Sequence, residues 1–131
     1  MDYASSDISK RDFSKGDYSQ KDFSGSIANE CNFKEAKLRG ARFFKADLSD
    51  ADFEGADLTN AALEQANLLN ANLKNAVLES AYFTSTNVND VASIENADFT
   101  DVLFGTTTKK LLCERPDAKY VLCLLKSPFY L

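Results

Sequence analysis

The side chains best equipped for chemistry here are twenty Asp and Glu residues and three cysteines, Cys31, Cys113 and Cys123, and there is no histidine to work beside them. Without histidine the usual general base is missing, as are the usual zinc ligand and every Ser-His or Cys-His nucleophile pair. The stretch "GTTTKK" from Gly105 to Lys110 lacks the spacing of a phosphate-binding glycine loop. A carboxyl pair could hydrolyse a glycoside only if one member sat in an apolar cleft. Calcium would need clustered oxygen ligands, and nothing resembles a calcium-binding repeat. The chain is therefore expected not to be an enzyme and to carry no catalytic, cofactor-binding or metal residue. Its Asp and Asn side chains are read as hydrogen-bond acceptors at turns and corners.

The elements that would position these residues follow an unusual period. Large apolar centres recur every five residues without a break from Tyr3 through Phe13, Phe23, Phe33, Leu48 and Leu63 to Val88, with the smaller Ala28 taking one place in the row. Two positions before each centre stands a small residue through most of the run, from Cys31 and Ala36 to Ala81 and Thr86. Neither the three-and-four spacing of a helix nor the alternation of a strand produces this. One large and one small inward residue per five suit a chain that turns a corner every pentapeptide and winds into a narrow solenoid. A bulky residue at the small position would overpack such a core. Cys31 occupies a small position and is expected to be core. After Val88 the register slips by one in "NDVASIENADF" and resumes at Phe99 and Phe104, predicting a bulge or loop near Val91 to Asn96.

A chain of 131 residues, 44% hydrophobic and 27% charged, has the composition of one globular unit. The apolar run "YVLCLL" is too short to cross a bilayer, and the opening "MDYASSDISKRDF" lacks the layout of a signal peptide. The net charge of −5 is unevenly spread: residues 1–45 balance at +2, residues 46–106 at −10 with Lys74 the only base, and the remainder at +3. An acidic middle of this strength repels nucleic acid.

The pattern A(D/N)LXX, in "ADLSD ADFEG ADLTN" and "ANLLN ANLKN AVLES", resembles the pentapeptide-repeat family over about Asp2 to Thr106. The resemblance implies an all-β solenoid, a right-handed quadrilateral β-helix with four pentapeptides per coil and so about five coils. Residues twenty apart should then stack. The outward columns Asp12, Asn32, Asp52, Asn72 and Asp17, Lys37, Asp57, Val77 place no two acids in contact, which suits facing strand positions. Asp7, Ile27, Asp47, Asn67 behaves likewise, whereas Asp2 over Asp22 does not. Arg11 and Lys21, at small positions of the first coil, should leave the open end toward water. At Ala28 the pattern reads either as a thin core or as a bulge that turns Ile27 inward, and the bulge is preferred.

Residues 107–131 break the pattern and form a second region, read as a helical cap on the β-helix of residues 1–106. Leu111 and Leu112 belong to one short helix; Pro116 breaks it, and Asp117 caps a second over about Ala118 to Lys126. An open solenoid end needs such a cover. Cys113 and Cys123 fall one on each helix, so they form a disulfide worth about 2–3 kcal/mol or remain two buried thiols; the bridge is the expectation, and with it an oxidising compartment.

Outward apolar residues are the functional lead. Phe44 and Tyr82 share one predicted face with Ala62 between them, while Leu69 and Val77 lie on others; these four form the candidate partner surface. Short pentapeptide-repeat proteins ending in a disulfide-tied helical pair resemble those of the chloroplast thylakoid lumen. That implies a rigid scaffold or protein-interaction module there, a monomer with an unidentified protein partner, no nucleic acid, no membrane insertion and no cofactor. It also implies that a transit segment preceded Met1. The alternative is a DNA-mimicking, gyrase-binding protein with an acidic cylinder, favoured by the −10 balance of residues 46–106 and disfavoured by the short cylinder, the basic tail and the helical cap.

Overall fold

Each pentapeptide builds a corner. In the computed structural model, which describes residues 2–88 and 90–118, the N–H of each small residue donates to the carbonyl of the preceding centre. Ala36 to Phe33 at 3.1 Å is one example and Ala56 to Phe53 at 2.9 Å another. The residue just before the small one has positive φ at every such turn, as at Glu35 (56°), Lys45 (58°) and Gly55 (69°). A β-turn with φ above zero at its third residue requires this. No β-branched or aromatic residue stands at these positions, because a branched Cβ is tolerated worst there.

Four corners close a coil, and stacked coils pair through parallel bridges between residues twenty apart. Four ladders of outward residues result, one per wall. The first runs Asp22, Arg42, Ala62, Tyr82 and then Leu103; the second runs Asp7, Ile27, Asp47, Asn67, Asn87. The third runs Asp12, Asn32, Asp52, Asn72, Ser93, and the fourth Asp17, Lys37, Asp57, Val77, Asp98. Among the described residues only the first wall lengthens its pairing into strands, β1 (Tyr82–Phe83) and β2 (Leu103–Phe104), which are parallel. A helix, α1 (Thr106–Cys113), follows with Gly105 at its N-cap. Among the described residues no helix is long and apolar enough to cross a membrane.

The centres and small residues form one continuous core. Rings twenty apart stack face to face, as Phe33 does on Phe53 at 4.9 Å between centroids and 4° between planes; rings from opposite walls meet edge-on across the interior, as Phe33 meets Phe43 at 5.9 Å and 86°. Polar atoms in the small positions find the carbonyl of the coil before. The Cys31 thiol donates to Ile8 O at 3.0 Å and the Thr86 hydroxyl to Leu63 O at 2.7 Å, whereas the buried Ser26 hydroxyl has no partner. Cys31 is a free, buried thiol, and burial pushes its pKa up, so it is a core residue. In the first coil Arg11 is exposed and Lys21 half-buried, in keeping with side chains that leave by the open end.

One expectation needs amendment and another is given its place. Ile27 does not turn inward: it is 48% exposed, Ala28 is fully buried, and no bulge interrupts the second wall. Both backbone bonds of the regular ladder survive there, Ile27 N–H to Ser6 O and Ile8 N–H to Ile27 O, each at 2.9 Å. A bulge would have sacrificed that pairing to hide one side chain, so the thin core is the outcome. The one-residue slip is localised to the third wall, where Ala92 donates to Ala71 O and Ser93 accepts from Leu73 N–H. Two residues thus oppose Asn72, as in a β-bulge, and Ala92 is pushed into solvent while Val91 and Ile94 take the inward places.

The last coil is secured from beyond α1. Asp117 Oδ2 accepts the Ile94 N–H at 2.8 Å, and the Arg115 guanidinium grips both carboxylate oxygens at 2.8 and 3.0 Å. Leu112, Thr108 and Ala118 are buried beside this clamp, and Leu111 is exposed. The second helix, about Ala118 to Lys126, falls outside the described residues except for Ala118.

Candidate functional site

The repeat supplies its own standard for what a wall should look like. At the outward position an Asp or Asn carboxyl or amide oxygen accepts the N–H two residues on: Asp12 from Ser14 at 2.9 Å, Asn32 from Lys34 at 3.0 Å, Asp52 from Glu54 at 3.0 Å, Asn72 from Lys74 at 3.0 Å. Each such bond satisfies a backbone N–H that the coil ladder leaves over. At Asp7, Asp12, Asp17 and Asp22 it also lowers the pKa of the carboxyl. Hydrogen bonds from the Ser9 hydroxyl and N–H lower the pKa of Asp7; at Asp57 burial pushes upward but is outweighed by Thr59 and Arg39, so that its pKa too is lowered.

The first wall abandons this device. Asp22 makes the bond to Ser24 N–H, but from there onward Arg42, Ala62, Tyr82 and Leu103 occupy four successive outward positions and none can make it. The departures elsewhere, at Ile27, Lys37 and Val77, each have Asp or Asn as stacked neighbours on at least one side. The first wall carries Tyr82 at 41% exposure and Leu103 at 54%, and the corner that follows it carries Phe44 at 40%. Two large apolar side chains, Tyr82 and Leu103, therefore stand on this wall where the other walls mostly place Asp or Asn with their corner bonds.

Ala62 lies between Arg42 and Tyr82 in the ladder, so the wall dips where its side chain is a single methyl. Around the dip stand Phe44, with the Lys45 ammonium 5.2 Å from its ring centroid, and Arg42, paired with Asp22 at 3.6 Å. Glu64 follows Phe44 in the stack: Lys45 N–H donates to Glu64 O, and Gln65 N–H to Thr84 O. Glu64 is half-buried, and its Oε1 is covered and has no hydrogen-bond partner.

The other expected surface residues lie apart. Leu69 projects from the corner after the second wall at 36% exposure, with its N–H bound by Asn67 at 3.1 Å, and Val77 is half-buried on the fourth wall between Asp57 and Asp98. Leu103 belongs with Tyr82 and was legible: once the slip is counted it stands one coil beyond Tyr82. Cys113 ends α1, half-buried and packed against the core, and Cys123 falls outside the described residues. The clamp of Asp117 on Ile94 had no sequence signal, since it joins residues of unrelated register. Among the described residues no cluster of His, Cys, Asp and Glu is arranged to hold a metal ion.

Comparison with known proteins agrees with this geometry. The family model described as pentapeptide repeats matches residues 12–43, 19–55 and 56–91, in eight copies overall. A solved pentapeptide repeat protein from the thylakoid lumen of Arabidopsis thaliana is 39% identical, with a TM-score of 0.85, over 95% of this chain and 85% of that one. Another, from the cyanobacterium Nostoc PCC 7120, is 32% identical with a TM-score of 0.65, over 79% of this chain and 84% of its own. QnrB1, a plasmid-mediated fluoroquinolone resistance protein, shares the fold at 16% identity and a TM-score of 0.51, over 87% of this chain and 62% of that one. No curated protein sequence matches. The solenoid is thus the right-handed quadrilateral β-helix, and the chain belongs to the pentapeptide-repeat family.

Proposed function

We propose that the protein is a non-enzymatic, rigid scaffold or protein-interaction module of the chloroplast thylakoid lumen. It acts as a monomer that offers a cylinder wall to a protein partner, with no nucleic acid, cofactor or membrane insertion involved. The observation that carries this is the likeness to the Arabidopsis lumenal protein over nearly the whole chain. Support comes also from the first wall, where exposed Tyr82 and Leu103 stand in place of corner hydrogen bonds, with exposed Phe44 at the corner that follows it. Leu69 and Val77 would be secondary contacts at most, because they lie on other walls. In this proposal residues 1–106 form about five coils, and residues 107–131 close them as a cap of two short helices tied by a Cys113–Cys123 disulfide.

Intact mass with and without reduction, after alkylation under denaturing conditions of protein from its native source, tests the compartment. Only Cys31 should be alkylated before reduction; three alkylated cysteines would remove the main chemical support for an oxidising lumen. The DNA-mimic alternative is tested by gyrase supercoiling with stoichiometric protein. No inhibition or protection is expected, and either one would replace the proposal.

A further inference from the structure

We propose that the first coil shuts the cylinder at its N-terminal end against a second copy of this chain: two tyrosine rings seal the core, and charge guards a free backbone edge. The proposal deepens the monomer reading above and rests on it. Its consequence is that a partner is left the walls and not this end.

In the second coil the N–H groups of Ile27, Asn32 and Lys37 donate back to Ser6, Arg11 and Gly16, each at 2.9 Å, and their carbonyls accept from Ile8, Phe13 and Tyr18 at 2.9, 2.7 and 2.8 Å. The same groups of Asp7, Asp12 and Asp17 point to the open side, where no described residue pairs with them. Such an edge invites a further strand. Two right-handed coils meeting by these ends would pass antiparallel, and each outward residue, with both its groups on the open side, would sit opposite another outward residue. All four outward residues of the first coil are acids, Asp2, Asp7, Asp12 and Asp17, so every wall would set Asp against Asp. Between these coils of one chain that contact is avoided at Asp7, Asp12 and Asp17, which face Ile27, Asn32 and Lys37. The nearby Lys10 and Lys15 lean onto the second coil, toward Glu30 at 3.6 Å and Glu35 at 3.8 Å. Arg11, exposed, and Lys21, half-buried, stand at small positions of the same rim and would be buried beneath a facing coil.

The core behind this rim is already covered. Ile8 and Phe13 are only 1% and 4% exposed although they belong to the outermost coil. The Tyr3 ring meets Phe13 edge-on at 5.3 Å and stacks on Phe23 at 5.0 Å, and the Tyr18 ring meets Phe13 edge-on at 5.1 Å. Both tyrosines are half-buried, a setting that suits a ring with a polar end. The Tyr18 ring lies where a side chain of residue 16 would stand: a Cβ on Gly16 would be 2.5 Å from Tyr18 Cε2. Gly16 is the one glycine at a small position of the repeat, and its φ is not positive, so the position requires room and not backbone freedom.

The test is sedimentation velocity of the full chain over a concentration series, with small-angle scattering to give the length of any dimer. Wild type should be monomeric. Asp7→Asn, Asp12→Asn and Asp17→Asn together keep an oxygen acceptor for the Ser9, Ser14 and Ser19 N–H groups but remove the facing charges. This variant should self-associate at least roughly tenfold more tightly than wild type, and adding Arg11→Ala and Lys21→Ala should strengthen it further. The product should be an elongated dimer that grows no longer, since two N-terminal ends meet and the far ends carry α1 and the Asp117 clamp. Asp47→Asn, Asp52→Asn and Asp57→Asn, the same change of charge in the third coil, should stay monomeric. Gly16→Ala should push the Tyr18 ring aside and raise the binding of an apolar dye above wild type. Far-UV circular dichroism checks each fold, and the Asp→Asn variant alone carries the test where the added alanines prevent folding.

A folded first-coil variant as monomeric as wild type overturns the proposal, as does a third-coil control that associates equally, or a wild type that is itself an elongated dimer. Dye binding unchanged by Gly16→Ala overturns the tyrosine seal. Wild-type association that Tyr82→Ser removes strikes the monomer reading alone, and the first-coil variants then decide the proposal in that background.

Discussion

Phe33→Ala is the sharpest probe of what holds the cylinder. The Phe33 ring is fully buried, stacked 5.1 Å from Phe13 on one side and 4.9 Å from Phe53 on the other, and touched edge-on by Phe23 and Phe43 at 5.8 and 5.9 Å. Truncation removes the ring's transfer free energy and leaves a cavity that the backbone cannot close, because bridges to Asp12 and Asp52 on either side pin Asn32, the residue just before it. Phe-to-Ala changes in such sites cost about 3–5 kcal/mol, and the upper half of that range is expected here. Phe33→Leu restores most of the apolar volume, and its own column already uses Leu73; about 1–1.5 kcal/mol is expected. Urea denaturation followed by circular dichroism gives both values. Each coil contacts only its neighbours, so amide exchange in Phe33→Ala should rise over the N-terminal coils while Leu78 to Phe104 stays protected. A loss below about 1 kcal/mol for alanine, or equal losses for alanine and leucine, would refute the stacked column as a source of stability.

Ala56→Phe, at a fully buried small position, should unfold the cylinder, as should Leu58→Asp, whereas Asp57→Asn keeps an oxygen acceptor for the Thr59 N–H and should shift the melting point little. Comparable melting points for all three would break the register. Ser26→Ala removes a buried hydroxyl without a partner and should be neutral or stabilising by up to about 1 kcal/mol in the same assay. Asp117→Ala frees the Ile94 N–H and the Arg115 guanidinium; a loss of about 1–3 kcal/mol with faster exchange at Ile94 is expected. Burial pushes the pKa of Asp117 upward but is outweighed by the bonds from Arg115 and Ile94 together with the Arg115 charge, so that the net shift is downward. Its contribution is therefore full above the ordinary carboxylate value and should disappear as pH falls below about 4, which a pH series of wild type against Asp117→Ala would detect.

A period of five with a small residue two before each centre was enough to place Phe33, Leu58 or Ala71 in the core, because no other backbone path brings such residues inward together. The twenty-residue stacking was legible too, since like charges avoid facing positions in Asp12, Asn32, Asp52, Asn72. The candidate wall was half legible: Phe44 and Tyr82 stood out as apolar at outward places, but Leu103 joins them only after the slip is resolved. The tertiary structure alone decided what depends on competition between neighbours. Ile27 faces solvent because the bridges to Asp7 and Asp47 leave its backbone no freedom, the extra residue surfaces at Ala92 because Asn72 pairs across both Ala92 and Ser93, and Asp117 closes the last coil at Ile94. Periodicity reports which residues point inward along one chain. Which strand end, bulge or carboxylate satisfies a given backbone group is settled only where two coils, or a coil and its cap, meet.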